Sequence, residues 1–247
     1  MPRYFIEVSY KGTAYSGFQI QQNAISIQSE VEHALSLVMR NKISLTGSSR
    51  TDAGVHALQN YFHFDIPNLI SPNIIYNLNS ILSRDIAVLS IKKVDDDAHS
   101  RFNALSRAYV YYLHAYKNPL LEDRSWYYPY PLDLVVLNQA ADIIKKTRDF
   151  TAFSKKNSQV KTFICGIEES EWKKTEYGYV YYVKANRFLR GMVRGLVGTM
   201  LMVGKGKINL DEFRSIIESK DPSKADFSTP AHGLFLKSVM YPINQFV

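Results

Sequence analysis

The sequence predicts an α+β protein built as two βαββαβ halves. Three observations carry this. Apolar runs with strand character, bounded by turn residues, recur along the chain. Between them lie segments with apolar residues at helical spacing. The two kinds follow one order in residues 1–105 and the same order in residues 106–247, with one extra helix in the second half. With 247 residues and 46% hydrophobic content, the chain can form one large domain or two halves with real cores.

In the first half, residues 3–10 form a strand and residues 11–24 a polar loop containing Gly12 and Gly17. Ser26 then caps a helix with Ile27, Val31, Ala34, Leu35, Val38 and Met39 as its apolar positions. A short strand at 43–46 leads into a polar loop with glycines near both ends, and a strand follows at 57–65. Ser71-Pro72 opens a helix to about Leu82, with proline at its first position. Residues 86–94 are the last strand of this half.

The second half starts with a strand at 107–116. A helix over 133–146 places Leu134, Leu137, Ala140, Ala141 and Ile144 on one side. Residues 162–173 and 179–186 form a hairpin with Gly178 near its turn. An apolar helix over 188–203, a short helix over 210–218 and a strand over 234–241 complete the chain. Two split βαβ (ferredoxin-like) units imply two α+β halves, 1–105 and 106–247. The halves share no obvious sequence identity, so the repeat is one of pattern. Such halves would join into one extended, largely antiparallel sheet with helices on one face and a central cleft.

The net charge is +7. Through Leu105 nine Lys/Arg balance nine Asp/Glu, and from Ser106 onward 21 face 14, so the whole excess lies in the second half. That suits a polyanionic partner, although many proteins without one are also basic. Seventeen Tyr and thirteen Phe include rings able to stack on unpaired bases, while most will be core. No apolar run approaches the roughly 20 residues of a membrane helix. The first residues enter a strand without the apolar region of a signal peptide. Cys165 is the lone cysteine, which excludes an intrachain disulfide and fits a buried residue in a reducing, cytoplasmic setting.

The chemistry concentrates in Gly47-Ser48-Ser49-Arg50-Thr51-Asp52-Ala53-Gly54-Val55-His56. Asp52 is either an ordinary turn residue, bonding nearby amides, or an ionised carboxylate aimed at an electrophilic carbon. Arg50 can hold that charge or contact a phosphate. Asp52, His56, His63 and Asp65 can also be drawn as a metal site. No helix-borne His pair and no Cys ligand supports this, so no metal is expected. His63, within Tyr61-Phe62-His63-Phe64, reads as a hydrogen-bonded core or sheet residue.

The stretch from Arg50 to Ala57 resembles the signature of the tRNA pseudouridine synthase A family. Other similarities run along almost the entire chain: Tyr10-Lys11-Gly12 with Gly17-Phe18-Gln19, Arg101-Phe102-Asn103-Ala104 with Arg107-Ala108-Tyr109-Val110-Tyr111, Phe188 to Arg194, and Gly233 to Leu236 with Tyr241-Pro242. The family usually has Asp at Lys11, Trp at Phe18, a basic residue near Ile20 and Gly at Ser49. The resemblance implies a cofactor-free isomerase that detaches a uridine of tRNA at its N1–C1′ bond, turns it and rejoins it through C5. It implies a homodimer and targets at positions 38 to 40 of the anticodon stem-loop.

By the same resemblance Asp52 is the catalytic aspartate. Whether it attacks the sugar or the base, or removes a sugar proton, stays open. Tyr109 matches the tyrosine that stacks on the target base, although Tyr109 and Tyr111 share a strand face that can simply be core. Arg194 matches the arginine that pairs with the aspartate. On its apolar helix it either needs a partner or sits on the solvent side. Leu236 or Leu234 would line the base pocket, and both also suit plain core. The target base would be flipped out, with Arg50 filling its place or holding a phosphate. Lys145, Lys146, Arg148, Lys155, Lys156 and Lys161 would track the backbone, as could Arg187 and Arg190, although each alone reads as solvated. An RNA-binding protein without chemistry and a metal-dependent hydrolase are the competing classes.

Overall fold

The computed structural model describes residues 1–67, 70–155 and 160–246. These form an α+β fold whose main elements follow the order expected from the sequence. The first are β1 (Arg3–Tyr10), α1 (Ile27–Met39), β2 (Thr46–Gly47), β3 (His56–Asp65), α2 (Ile74–Ile81) and β4 (Ile86–Val94). Then come β5 (Ser106–His114), β6 (Trp126–Tyr127), α3 (Leu134–Lys146), β7 (Ile167–Lys174), β8 (Gly178–Ala185), α4 (Met192–Gly204), α5 (Leu210–Glu218) and β9 (Leu234–Met240). Most pairings are antiparallel, while β3–β9 and β5–β6 are parallel. The two-residue β6 has no counterpart in the sequence reading. No helix among the described residues is long and apolar enough to cross a membrane.

The chain divides into two compact units, Met1–Leu105 with Phe235–Val247, and Ser106–Leu234. The sequence reading places 106–247 together. Residues from Phe235 onward group with the first unit because β9 runs parallel to β3, pairing His56 with Phe235 and Ala57 with Leu236.

In the first unit β1 is central, antiparallel to both β3 and β4. Its register opposes Ile6 to Phe62 and Phe5 to His63, which sorts the side chains onto two faces. Tyr4, Ile6, Val8 and Tyr10 are buried on one face with Phe62 and Phe64. Phe18 stacks on Phe62 at 4.4 Å between ring centroids. On the other face Phe5, Tyr61 and Tyr241 form an aromatic cluster joined by Phe246. Ser26 caps α1 as expected, in a reciprocal pair of hydrogen bonds with Ser29.

Within the first unit two element boundaries shift from expectation. The strand at 43–46 is confined to Thr46–Gly47, because Ile43 N–H donates to Ser36 Oγ and Leu45 N–H to Glu32 Oε1. Side chains of α1 thus take the groups that a strand partner would use. Pro72 lies before α2 rather than at its first turn; Ile74 N–H closes a turn onto Ser71 O and Asn73 precedes the helix.

In the second unit β8 lies between β5 and β7, opposing Tyr109 to Val183 and Tyr111 to Tyr181. The Asn138 amide ties α3 to β7, donating to Trp172 O at 3.0 Å and accepting from Trp172 N–H at 2.9 Å. α4 is buried almost all round. It begins at Met192 instead of 188, because Gly191 adopts the left-handed φ of +72° that ends any continuous helix there. Cys165 is buried, and burial pushes its thiol up to about 11.

Candidate active site

The loop carrying Asp52 is irregular backbone that leaves β2 and enters β3, so its polar groups need partners other than a ladder. It finds them in its own unit. Val55 N–H closes a turn onto Asp52 O at 3.2 Å, with Gly54 at a φ of +78°. Phe18 N–H donates to Thr51 O at 3.1 Å, and Gly12 N–H donates to His56 Nδ1 at 3.0 Å. Gly12 has no side chain for a reason: a Cβ there would run into the Val55 carbonyl. The Tyr10 and Thr51 hydroxyls lie 2.8 Å apart. Asn60 holds both main-chain groups of Ser49.

The consequence is a loop with a buried frame and an open centre. Ser49, Thr51 and Val55 are buried, Asp52 is half-buried, and Arg50 and Ala53 are exposed. Within the first unit, among the described residues, no ion pair joins Asp52 to Arg50. Such a carboxylate can act on an electrophilic carbon while the neighbouring guanidinium takes a phosphate. Leu236 is fully buried directly opposite Ala57, so the β3–β9 pairing alone brings it to the foot of this loop. His56 stacks on Phe235 at 4.5 Å, and His63 is buried with Nδ1 2.9 Å from Ser100 Oγ.

The second unit positions the remaining candidates. Tyr109 is buried in β5 with its ring edge-on to Phe188 at 4.9 Å. Tyr111 is fully buried, and its hydroxyl donates to Pro230 O at 2.8 Å. Burial raises the Tyr111 hydroxyl's pKa, opposed by the charge of Arg194. Arg194 sits half-buried in the first turn of α4, not on an open solvent side. Its Nε donates to Thr229 O at 2.7 Å, and Thr229 Oγ1 donates back to Arg194 O at 2.9 Å. A guanidinium gripped at Nε has a fixed plane in which its terminal nitrogens are presented.

Of the basic residues, Lys145 and Lys146 occupy the last turn of α3, where the helix dipole favours them. Lys155 N–H donates to Arg190 O, and the Lys155 side chain lies across Gly191. Lys155 and Arg190 therefore gather at the start of α4. Lys161 is exposed. Lys156 lies outside the described residues.

Residues 6–103 and 147–242 match the family model described as tRNA pseudouridine synthase. The chain belongs to the tRNA pseudouridine synthase family. Proteins named tRNA pseudouridine synthase A are similar to it over nearly their whole length. That of Porphyromonas gingivalis is 43% identical over 252 residues, covering 100% of both chains. That of Bacteroides fragilis is 44% identical over 243 residues, 97% of this chain and 96% of the relative. That of Azobacteroides pseudotrichonymphae is 41% identical over 243 residues, 98% of each.

As a member of the tRNA pseudouridine synthase family the chain is an isomerase, and the matched spans contain Arg50, Asp52, Arg194 and Leu236. Tyr109 falls between the two spans. The sequence reading missed Asn60 and Tyr10 as supports of the loop. One signal was present: position 60 is an amide on the strand face otherwise filled by Phe62 and Phe64.

Proposed function

We propose that this chain converts uridine to pseudouridine at positions 38 to 40 of the tRNA anticodon stem-loop, as a cytoplasmic homodimer without a cofactor. Isomerisation of tRNA uridine accords with its family. The observation that carries the site is the Asp52 loop, with a frame bonded on both sides and a half-buried carboxylate at its centre. In the reaction the N1–C1′ bond breaks, a C5–C1′ bond forms, and the proton on C5 is replaced by one gained at N1. Asp52 carries the chemistry at the sugar or the base. Tyr109 stacks on the base, Arg194 partners the carboxylate, Leu236 lines the pocket, and Arg50 holds the strand from which the base is flipped. The stem-loop target and the homodimer are carried over from the family resemblance.

Incubation with unmodified tRNA, followed by mapping of pseudouridine, tests this. The expected result is pseudouridine at one or more of positions 38 to 40, and none with Asp52→Ala. Full activity of Asp52→Ala would overturn the role of the aspartate. Tight tRNA binding with no product from the wild type would favour an RNA-binding protein without chemistry.

A further inference from the structure

We propose that Asn60 and Tyr10 are positioning residues for Asp52: together they hold the Ser49 main chain and the Thr51 hydroxyl, on both sides of Arg50, and so set where the next carboxylate points. The inference rests on the proposed role of Asp52.

Asn60 is fully buried in β3 on the face of Phe62 and Phe64. An amide there is costly unless every polar atom is satisfied. All four of its hydrogen-bonding positions are used. Nδ2 donates to Ser49 O at 2.9 Å and to the Tyr10 hydroxyl at 3.1 Å. Oδ1 accepts from Ser49 N–H at 3.3 Å and from Tyr61 N–H at 2.9 Å. The partners determine which way the amide points, since two N–H donors require its oxygen and a carbonyl requires its nitrogen.

Tyr10 extends the grip. Its oxygen accepts from Asn60 and lies 2.8 Å from Thr51 Oγ1, where either hydroxyl can donate. The local backbone serves this contact. Between Ala57 and Asn60 the register of β3 against β1 gains a residue, as in a β-bulge, beside Tyr10. Residues 49 and 51 are thus both bonded to the one buried pair, with Arg50 exposed between them and Asp52 next in the chain. A fully satisfied buried polar network of this kind rigidifies the segment it holds. For a reacting group, a displacement of about 1 Å can cost on the order of a hundredfold in rate.

The decisive variants are Tyr10→Phe and Thr51→Val, which delete either end of the last link and keep the shapes. Single-turnover conversion of unmodified tRNA, tRNA affinity and thermal melting are measured for each, for the double variant and for Asn60→Ala. Each single variant is expected to slow conversion about tenfold or more while leaving the tRNA Kd within about twofold. The double variant should be no slower than the slower single one, because both break the same link. Conversion at the wild-type rate by folded Tyr10→Phe, or a loss confined to Kd, would overturn the proposal. If the wild type itself makes no pseudouridine, the assigned reaction fails first and this proposal falls with it.

Discussion

The hydroxyl of Ser49 is buried and has no hydrogen-bond partner among the described residues. A buried unsatisfied group of this sort costs about 1–3 kcal/mol. The loop is gripped through Ser49's main chain, so the side chain contributes nothing to the grip. Ser49→Ala is therefore expected to leave conversion intact and to hold or raise stability, by up to about 1 kcal/mol, in urea unfolding. The same position explains a limit of sequence reading. Motif spacing singles out Asp52 and Arg50, but the partner of Ser49 is eleven residues away on a strand. Tyr109 and Tyr111 make the converse point. Both are buried on one strand face, so neither burial nor periodicity separates a base platform from core; for Tyr109 that distinction comes only with the family resemblance.

Elements whose causes are local were legible. α1 starts where Ser26 can accept from Ser29 N–H, and Ser26→Ala should lower stability by about 1 kcal/mol in a thermal or urea melt. α3, α5 and most long strands likewise announce themselves through periodicity and caps, although β7 begins at Ile167 rather than at 162. The elements that differ from expectation are those decided at a distance or hidden in an apolar run. Residues 43–45 look like a strand until the side chains of Glu32 and Ser36 claim their amides. The apolar run from Phe188 suggests too early a start for α4, because it hides the left-handed Gly191. Gly12→Ala tests the close approach of the Gly12 segment to the loop before β3. Its methyl would displace the Val55 carbonyl, so both the melting temperature and conversion should fall, measured on the same preparation.

Across the whole molecule, charge and buried imidazoles set how conditions act. The seven excess positive charges lie in residues 106–247, so tRNA affinity should drop steeply with salt; a flat log Kd against log salt would contradict phosphate tracking. Burial, with the charges of His99 and Arg3, lowers the His63 pKa to about 4 from 6.5. The unfolded chain then takes up a proton near pH 6.5, whereas the folded chain takes it up only near 4. Stability is full above that upper value and is lost as pH falls between the two. His99, His114 and His232 are lowered in the same direction, each chiefly by burial. Melting temperature should decline through that window, and His63→Gln should shallow the slope. The carboxylate of Asp65, held low by Arg3, adds a separate loss at more acidic pH.

The return of Phe235–Val247 to the first unit has a consequence for synthesis. Residues Ser106–Leu234 are continuous, so their unit can close as soon as Leu234 has emerged. The first unit already has β1 against β3 but lacks β9, the parallel partner of β3, until Phe235–Val247 have followed. The unit begun first is therefore the one completed last, with the strand that follows the Asp52 loop waiting for its β9 neighbour, the reverse of the usual N-terminal-first order.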